Sequence, residues 1–378
     1  MTDTSAPTFA IVTGGGTAGH VNPALAIADA LVAAGHPQAT IHYVGSERGI
    51  EARLVPPTGY AMTLLPGRGI QRKLTTANLG AVGGLLVAGV KAMGLVGRLQ
   101  PKVVIAVGGY ASVAVGLAAV LRRIPLVVAE QNMAPGAANR LLARFAKVSA
   151  VAFPGTPLPR AVVTGNPIRD EITAILPGRD RGAARRAFGV GEGRQLLLVV
   201  GGSLGARRVN EAVLDALPRW HDRSDLTVHH VVGQRDWEAI TAAAPAEIGA
   251  VEYRAVVYED DMPAALAAAD VAVCRSGSST CFELAAAGLP AVLVPSPYVT
   301  ADQQTSNAAY LVEAGAAVLV PDQDLDGVRL VAEVDDLLAD DERRSAMGAA
   351  ARTRARPDAA AAIAALAIAA LATEPGRG

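Results

Sequence analysis

The residues best suited to chemistry form a glycine-rich stretch that ends in a histidine, Gly14–His20 (Gly-Gly-Gly-Thr-Ala-Gly-His). An apolar run at 9–12 precedes it, and a helical pattern of apolar residues at 23–32 follows it. A strand, a glycine turn and a helix in this order direct backbone N–H groups and the positive end of a helix at a phosphate. The same helix end disfavours an imidazolium, so His20 should be neutral and able to accept a proton. We therefore interpret His20 as a general base rather than as a helix-capping or packed histidine.

Gly14, Gly16 and Gly19 also match the dinucleotide fingerprint, with Glu47 as a possible ribose-binding acid. An NAD-dependent oxidoreductase is therefore one hypothesis, although a histidine is unusual beside the pyrophosphate in that class. The stretch is not a P-loop, because no Lys-Ser or Lys-Thr follows the last glycine. A catalytically silent protein that binds a nucleotide sugar is a further hypothesis, against which the presence of His20 argues.

A second candidate site is the serine-rich stretch Cys274–Glu283, which follows an apolar strand at 271–274 and opens a predicted helix at 282–287. Its small residues leave backbone N–H groups free for a phosphate. Glu283 can accept hydrogen bonds from the two hydroxyls of a ribose. Alternatively, it closes a capping box on Ser279 or Thr280.

Three other features bear on the ligands that the sequence predicts. Gln303 and Gln304 fall in a predicted loop, where amides suit the hydroxyls of a sugar. The aspartate-rich segment 322–333 matches the EF-hand pattern, but a helix start capped by aspartate explains the same residues, and we expect no metal. Cys274 and Cys281 have no partner cluster, so we expect buried free thiols in a reducing compartment.

Strands alternate with helices twice along the 378 residues, which are enough for two domains. The second series repeats the first, with a strand at 195–200 and a glycine turn at 201–205. Crossovers of this kind build parallel sheets. The sequence predicts an α/β protein of two Rossmann-like, doubly wound parallel-sheet domains that face a central cleft. We expect these domains at 1–165 and 166–350, and a terminal helix and tail at 351–378 that pack back on the first domain.

Charge is distributed unevenly between the two halves of the chain. Residues 1–165 contain 14 Lys and Arg against 5 Asp and Glu, whereas residues 166–378 contain 20 against 30. The basic half has no RNA-binding signature, so we expect an anionic membrane surface as its partner, and no nucleic acid. The opening residues do not resemble a signal peptide, so we expect a protein that stays on the cytoplasmic side.

The stretch 79–97 is almost wholly apolar, but it is short, rich in glycine and interrupted by Lys91, so we do not interpret it as a membrane span. Two interpretations remain open: a helix that lies on a bilayer surface, and an ordinary packed helix. The apolar helix at 359–372 is too short to span a bilayer and should dock on a domain. The basic residues of the patch at 68–98 are Arg68, Arg72, Lys73, Lys91 and Arg98.

Taken together, the motifs resemble the MurG family of UDP-N-acetylglucosamine transferases, which complete the lipid-linked disaccharide precursor of peptidoglycan. The resemblance covers essentially the whole chain. It rests on these motifs: Gly14–His20, Gly108–Ser112, Glu130–Asn132, Gly165–Arg169, Gly201–Ala206, Asp260–Met262, Cys274–Gly277, Glu283–Pro290 and Gln303–Gln304. It implies a GT-B fold and an inverting transfer of GlcNAc from UDP-GlcNAc to lipid I, without metal or cofactor, at the cytoplasmic face of the membrane.

The resemblance also implies roles for individual residues, with His20 as the base for the C4 hydroxyl of MurNAc. The turns that would receive the acceptor pyrophosphate are formed by Gly14, Gly15, Gly16, Gly108, Gly109 and Tyr110. The donor site would comprise Thr17, Ala18, Gly19, Asn132, Arg169, Ser203, Glu259, Ser278, Ser279, Thr280, Cys281, Phe282, Glu283, Gln303 and Gln304. Within it, Glu283 would bind the ribose hydroxyls, and Asn132 and Gln303 the GlcNAc ring.

Several of these positions depart from the family's pattern. Ala18 stands where many relatives have glycine, and Glu259 stands where an aliphatic residue is common beside the uracil. The pairs Ser278-Ser279 and Cys281-Phe282 replace more usual small or aliphatic residues. Alanine at position 18 is tolerable if its φ is negative. At Glu259 and at 278–282 we expect contact with the donor through the backbone, and the side-chain roles stay open.

Overall fold

The computed structural model describes residues 7–66, 77–175, 180–202, 205–245 and 247–372 of the chain. By its contacts the chain divides into two units, Met1–Arg169 with Arg356–Gly378, and Asp170–Ala355. The unit boundaries therefore fall a few residues after those expected from the sequence. Arg68, Arg72 and Lys73 of the basic patch and Ser203 of the predicted donor site lie outside the described residues.

The first unit is built on a seven-stranded sheet in which every described pairing is parallel. Its strands are β1 (Ala10–Gly14), β2 (Ile41–Ser46), β3 (Ala61–Leu65), β4 (Val103–Gly108), β5 (Leu126–Glu130), β6 (Val148–Val151) and β7 (Ala161–Val163). Its helices are α1 (Ala18–Ala33), α2 (Glu51–Leu54), α3 (Ala77–Leu99), α4 (Tyr110–Leu121) and α5 (Ala137–Leu142), together with the last helix of the chain. The strand order is β3-β2-β1-β4-β5-β6-β7, the doubly wound arrangement in which ligands bind beyond the carboxyl ends of the central strands.

Alternating residues of the central strands fill two different cores. In β4, Val103, Ile105 and Val107 join a cluster with α1, whereas Val104 and Ala106 join a cluster with α3 and α4. Successive side chains of a strand point to opposite faces, and a parallel sheet covered by helices on both sides buries both sets. This is why these strands appear in the sequence as continuous apolar runs, and why their carboxyl ends are fixed firmly enough to hold a site.

The second unit contains a six-stranded sheet, also parallel in every described pairing. Its helices are α6 (Asp170–Ile175), α7 (Arg181–Ala187), α8 (Arg207–Ala216), α9 (Trp237–Ala243), α10 (Met262–Ala268), α11 (Ser278–Ala287), α12 (Gln303–Val312), α13 (Gly327–Ala339) and α14 (Asp341–Arg354). Its strands are β8 (Gln195–Val200), β9 (Leu226–Val231), β10 (Glu252–Val256), β11 (Val271–Cys274), β12 (Ala291–Leu293) and β13 (Ala317–Leu319), in the order β10-β9-β8-β11-β12-β13. The predicted α/β class with two Rossmann-like parallel sheets is thus confirmed.

The last helix, α15 (Ala359–Ala372), belongs to the first unit, where it packs against α1, β4 and β5. Ile363, Ala364 and Ala367 enter the same apolar cluster as α1. By length and hydropathy the stretch Asp341–Ala372 could cross a membrane. It consists, however, of the two helices α14 and α15 with non-helical residues at 355–358 between them. At about 1.5 Å per residue, the 14 residues of α15 are too short to cross a bilayer core of about 30 Å.

Two differences from the sequence prediction affect the site. The sequence predicts a helix from Val113 to Leu121, whereas helix α4 begins at Tyr110, directly after the second glycine turn. Gln303 and Gln304 open helix α12 and do not lie in a loop, so that expectation was wrong. Two glycines precede α4, and a short 3-10 turn at Thr300–Asp302 precedes α12. These features obscured the helix starts in the sequence.

Candidate active site

The two glycine turns of the first unit lie side by side at the carboxyl ends of β1 and β4. The Gly15 N–H donates to the Gly108 carbonyl (3.2 Å), and β1 and β4 are adjacent in the sheet. Gly16, Gly108 and Gly109 have φ of +91°, +125° and +90°, a region that strongly favours glycine. The fold thus brings together all of the residues predicted to receive the acceptor pyrophosphate.

Close packing also requires glycine at the second turn. A Cβ on Gly109 would lie 2.4 Å from the Gly15 carbonyl oxygen, and one on Gly108 would lie 2.9 Å from His20 Cδ2. Ser112 on α4 ties the turns together, because its Oγ accepts from the Gly108 N–H (3.2 Å) and lies 2.8 Å from the Thr13 carbonyl oxygen. The sequence offered Ser112 only as part of a motif, without this role.

His20 is half-buried in the first turn of α1, with its ring against Gly108. Its Nδ1 lies 3.2 Å from Thr17 Oγ1, and Thr17 is the N-cap residue of the helix. Burial lowers the pKa of His20 below 6.5, although Glu130, a hydrogen bond with the Gly15 backbone and Glu51 act in the opposite direction. The imidazole is therefore neutral near pH 7 and can accept a proton.

Glu130, at the end of β5, is a buried carboxylate that sequence reasoning did not assign. Its Oε1 accepts from the backbone N–H of Asn132 (2.9 Å), and its Oε2 accepts from the Gly136 N–H (3.0 Å) and Asn139 Nδ2 (2.9 Å). These bonds shape the turn after β5 and fix Asn132, a predicted sugar ligand, at the sheet edge that carries the glycine turns. The available signal was a lone acidic residue at the end of an apolar strand, followed by two amides.

Tyr110 is the first residue of α4, and its hydroxyl is buried without a hydrogen-bond partner among the described residues. Burial raises the pKa of this phenol. The Tyr110 hydroxyl is therefore a buried donor that the described residues leave unsatisfied.

The second unit contains a cavity of about 730 Å³ at the carboxyl ends of β8 and β11. It lies against the N-termini of α8 and α11, so the positive ends of these two helices face it. Its lining includes Gly201, Gly202, Arg207, Arg208, Arg275, Gly277, Thr280, Gln304 and Asp322. Four arginines (Arg207, Arg208, Arg235 and Arg275) and two helix N-termini make this cavity suitable for a phosphorylated ligand.

Helix α11 begins at Ser278, with Gly277 as its N-cap and no side-chain cap. Ser279 and Thr280 therefore lie inside the first turn, and a capping box between them and Glu283 is wrong. Cys281 and Phe282 are fully buried, so a side-chain contact of either with a ligand in the cavity is also excluded.

Successive residues of a helix point about 100° apart, so Thr280, Cys281 and Phe282 face different directions from α11. Thr280 lines the cavity, whereas Cys281 Sγ contacts the Asn307 carbonyl oxygen and Phe282 packs against the Tyr310 ring. Ser278 is also buried, and its Oγ has no hydrogen-bond partner among the described residues.

The side chains of Glu259 and Gln304 already have partners within the second unit. Glu259 Oε2 lies 2.8 Å from His229 Nε2, and Oε1 accepts from the Asp261 N–H (2.8 Å). Gln304 Oε1 accepts from the Ser296 N–H (2.8 Å), which fixes the loop after β12. Glu259 can therefore meet a ligand through its backbone, as expected from the sequence, and Gln304 through its remaining amide nitrogen.

The segment before α12 contains two successive residues in the left-handed region, Ala301 (φ 52°) and Asp302 (φ 49°). They precede Gln303, the predicted sugar ligand, at the start of the helix. Non-glycine residues in this region are strained by about 1–3 kcal/mol each. Such strain is typical of segments whose shape serves a ligand site.

The aspartate-rich segment is explained by the fold, as the alternative to a calcium loop predicted. Asp322 Oδ1 lies 2.5 Å from Arg275 Nη1, and Asp326 caps α13 by accepting from the Arg329 N–H (2.8 Å). Among the described residues no group of His, Cys, Asp or Glu could hold a metal ion. Cys274 and Cys281 are buried free thiols, as predicted.

Comparison with known proteins supplies the identity of the chain. Residues 10–151 match the glycosyltransferase family 28 N-terminal domain, and residues 196–363 match the C-terminal domain of the same family. A Salinibacter ruber protein is 45% identical over 96% of both chains, and a Nitrosococcus oceani protein is 43% identical over 93% of this chain and 95% of its own. Both are named UDP-N-acetylglucosamine--N-acetylmuramyl-(pentapeptide) pyrophosphoryl-undecaprenol N-acetylglucosamine transferase.

Solved structures agree with this result. Acinetobacter baumannii MurG has a TM-score of 0.77 and 29% identity, over 96% of this chain and 100% of that chain. The calicheamicin glycosyltransferase CalG4, at 18% identity and a TM-score of 0.68, shows the fold alone. Fold and matches together define a glycosyltransferase of GT-B architecture, built from two Rossmann-like domains. The chain belongs to the MurG family of N-acetylglucosamine transferases, within glycosyltransferase family 28. The oxidoreductase hypothesis is therefore wrong.

Proposed function

We propose that this chain transfers GlcNAc from UDP-GlcNAc to the C4 hydroxyl of MurNAc in undecaprenyl-pyrophosphoryl-MurNAc-pentapeptide (lipid I), which gives lipid II. The observation that carries the chemistry is a neutral, half-buried His20 at the junction of two glycine turns. A base there needs a lowered pKa and a fixed ring, and His20 has both.

In the proposed reaction His20 takes the proton of the acceptor hydroxyl while that oxygen attacks C1 of GlcNAc. The bond between C1 and the phosphate oxygen of UDP breaks, the electron pair leaves with UDP, and the configuration at C1 is inverted. Proton transfer of this kind typically contributes about 10²–10⁴-fold to a rate. Glu130, which raises the basicity of His20 through its charge, stabilises the imidazolium that forms.

The cavity of the second unit is proposed to hold the UDP of the donor. Arg275 and the amides at the start of α11 surround it, and they would stabilise the charge that develops on the leaving group. The resemblance adds Arg169 and Ser203 for the pyrophosphate, Glu283 for the ribose and Gln303 for the sugar. Arg169 is half-buried at the end of the first unit.

The decisive experiment is the release of UDP in the presence of lipid I by the wild type and by His20→Ala. We expect turnover to fall by about 10²–10⁴-fold, while UDP binding, assigned to the other unit, persists. The control is His36→Ala, because His36 follows the end of α1 and stacks on Phe9, and it should retain turnover. In the wild type, kcat/KM should fall as the pH drops through a value below 6.5, where His20 becomes protonated. Undiminished turnover of His20→Ala excludes this base, and absence of UDP release by the wild type would favour the catalytically silent binding protein.

We also propose that the first unit binds the anionic cytoplasmic face of the membrane as a peripheral protein. Val87 and Val90 on α3 and Leu121 at the end of α4 are 50%, 75% and 72% exposed. Lys91 and Arg122 beside them are exposed as well. A hydrogen bond from Arg122 Nε to the Met93 carbonyl joins the end of α4 to α3. Apolar side chains with flanking cations suit an interface with anionic lipid.

Cosedimentation with vesicles tests this membrane surface. The wild type should bind vesicles that contain phosphatidylglycerol more strongly than vesicles of phosphatidylcholine alone, and Val90→Glu should reduce that binding. Val328→Glu is the matched control, because Val328 is 56% exposed on the second unit. Equal binding by the two variants would place the membrane contact elsewhere.

A further inference from the structure

Beneath the first glycine turn lies a carboxylate that the proposed reaction does not use. Glu51 is the first residue of α2, and its side chain is fully buried. Its Oε1 accepts from Ser46 N–H (2.7 Å) and from Ser46 Oγ (2.7 Å), and its Oε2 accepts from the Gly16 N–H (2.9 Å). Glu51 therefore connects the end of β2 to the turn that carries His20.

The backbone around this carboxylate is fitted to it by three glycines. A Cβ on Gly15, Gly45 or Gly49 would come within 2.1, 2.5 or 1.9 Å of an atom of the Glu51 side chain. Gly15 lies in the turn that carries His20, Gly45 lies within β2, and Gly49 lies between β2 and α2. Their glycine identity serves the carboxylate, because none of the three has a positive φ.

Burial of a carboxylate is unfavourable unless hydrogen bonds replace its hydration. Among the described residues no Lys or Arg forms an ion pair with Glu51, and the hydrogen bonds that compensate for its burial come from two backbone N–H groups and one hydroxyl. A hydrophobic residue would fill the same space at lower cost. What it would lack is an acceptor for the Gly16 N–H.

The Gly16 bond fixes the part of the turn that leads into α1. Gly16 is followed by Thr17, the N-cap of α1, and His20 lies in the first turn of that helix. The two charged groups that act on His20 are Glu130 and Glu51, and both favour its protonated form. Glu51 therefore affects the His20 ring in two ways, through its hydrogen bond to Gly16 and through its charge.

We propose that Glu51 is a positioning residue for the transfer: its buried carboxylate holds the Gly16 amide, and through it the first glycine turn and His20, in the reactive arrangement. This inference rests on the proposed role of His20 as the base. In this proposal the Gly16 N–H is held by Glu51 rather than by the acceptor pyrophosphate. The amides of Ala18 and Gly19, in the first turn of α1, are left for that anion.

Two variants of Glu51 separate its geometry from its charge. Glu51→Gln keeps the shape but turns an N–H group toward either Gly16 or Ser46, and it removes the charge. Glu51→Asp keeps the charge but is about 1.5 Å too short to reach Gly16. We expect kcat to fall about 10- to 100-fold in both, with KM for UDP-GlcNAc and UDP binding unchanged. Only Glu51→Gln should move the acid limb of the pH profile to lower pH.

The matched control is Asp29→Asn, which removes a carboxylate from α1 itself, where Asp29 Oδ1 accepts from the Tyr60 hydroxyl (2.5 Å). It should alter the melting temperature without altering kcat. If both Glu51 variants lose melting temperature but retain kcat, Glu51 is structural only and the inference is overturned. If Glu51→Gln does not fold, a wild-type kcat in Glu51→Asp overturns it equally. If His20→Ala retains turnover, the proposed role of His20 as the base is wrong. If His20→Ala is inactive but the Glu51 variants are fully active, only the positioning role of Glu51 is wrong.

Discussion

Replacement of Gly108 by alanine would place a methyl group against the His20 ring. The Cβ would lie 2.9 Å from Cδ2 and 3.0 Å from Nε2 of His20, whereas ordinary contacts are 3.4–4 Å. Gly108 belongs to β4, held between β1 and β5, and its carbonyl accepts from the Gly15 N–H. The ring must therefore move rather than the backbone.

The expected effect has two separable parts. Alanine at a φ of +125° costs about 1–2 kcal/mol of stability, and each kcal/mol lowers the melting temperature of a unit of this size by about 2–4 °C. Relief of the contact displaces the imidazole by roughly 0.5–1 Å, and a misplacement of about 1 Å at a reacting group costs about 10²-fold in rate. Turnover should therefore fall by about one to two orders of magnitude beyond any loss from unfolding.

Gly155→Ala is the matched control, because Gly155 has a φ of +80° in the same unit and no atom lies within 4 Å of its added Cβ. It should lose a similar amount of stability and keep its turnover. The assay is UDP release with lipid I at a temperature where both variants are folded, with melting followed by differential scanning fluorimetry. Turnover of Gly108→Ala within about threefold of the control would refute the argument that the position of the His20 ring limits the rate.

Two further predictions concern buried groups of the second unit. Burial, assisted by the neighbouring His229, lowers the pKa of His230 from 6.5 to about 4. As the pH falls, this histidine therefore binds a proton in the unfolded chain before it does so in the folded protein. The free energy of unfolding should decline by about 3 kcal/mol between pH 6.5 and 4. Urea unfolding should detect this decline in the wild type and a shallower one in His230→Gln, and equal slopes would contradict it. Burial raises the pKa of Cys274 to about 12 and also raises that of Cys281. Neither thiol should therefore react with Ellman's reagent at pH 8 until the protein is denatured. A thiol that reacts in native buffer would contradict the burial of these side chains.

Much of the fold could be predicted from the sequence because buried parallel strands are continuous apolar runs. The strand at 195–200 was predicted to the residue, and the glycine turns that follow β1 and β4 were placed correctly. Helix starts were harder to predict where glycine or serine precedes them, as at Tyr110 and Ser278. There the first turn contains residues of low helical propensity, and tertiary packing of the later turns decides the boundary.

The residues of the candidate site could be predicted from the sequence where they are contiguous, but not where they come from separate segments of the chain. His20 follows its glycines directly, so its position at a helix N-terminus could be inferred from spacing alone. The role of Glu51 could not, because α2 is only four residues long and the Gly16 N–H that Glu51 binds is 35 residues away along the chain. Likewise, the sequence does not distinguish Cys281 and Phe282 from Thr280 as ligand contacts. In the structure the rotation of the helix places Thr280 at the cavity and the other two side chains in the core.

The hydrogen bond from the Gly16 N–H to Glu51 bears on which ligand the first glycine turn can bind. A turn made only to bind a pyrophosphate would keep its N–H groups for the ligand and place no anion beneath it. Here a buried carboxylate takes one N–H, and a second carboxylate, Glu130, also acts on His20. Two negative charges oppose a bound anion, but they stabilise the imidazolium that proton transfer would create. This arrangement suits a turn built for a base, in which the N-terminus of α1 holds the anion and the glycines allow backbone, carboxylate and imidazole to lie in contact.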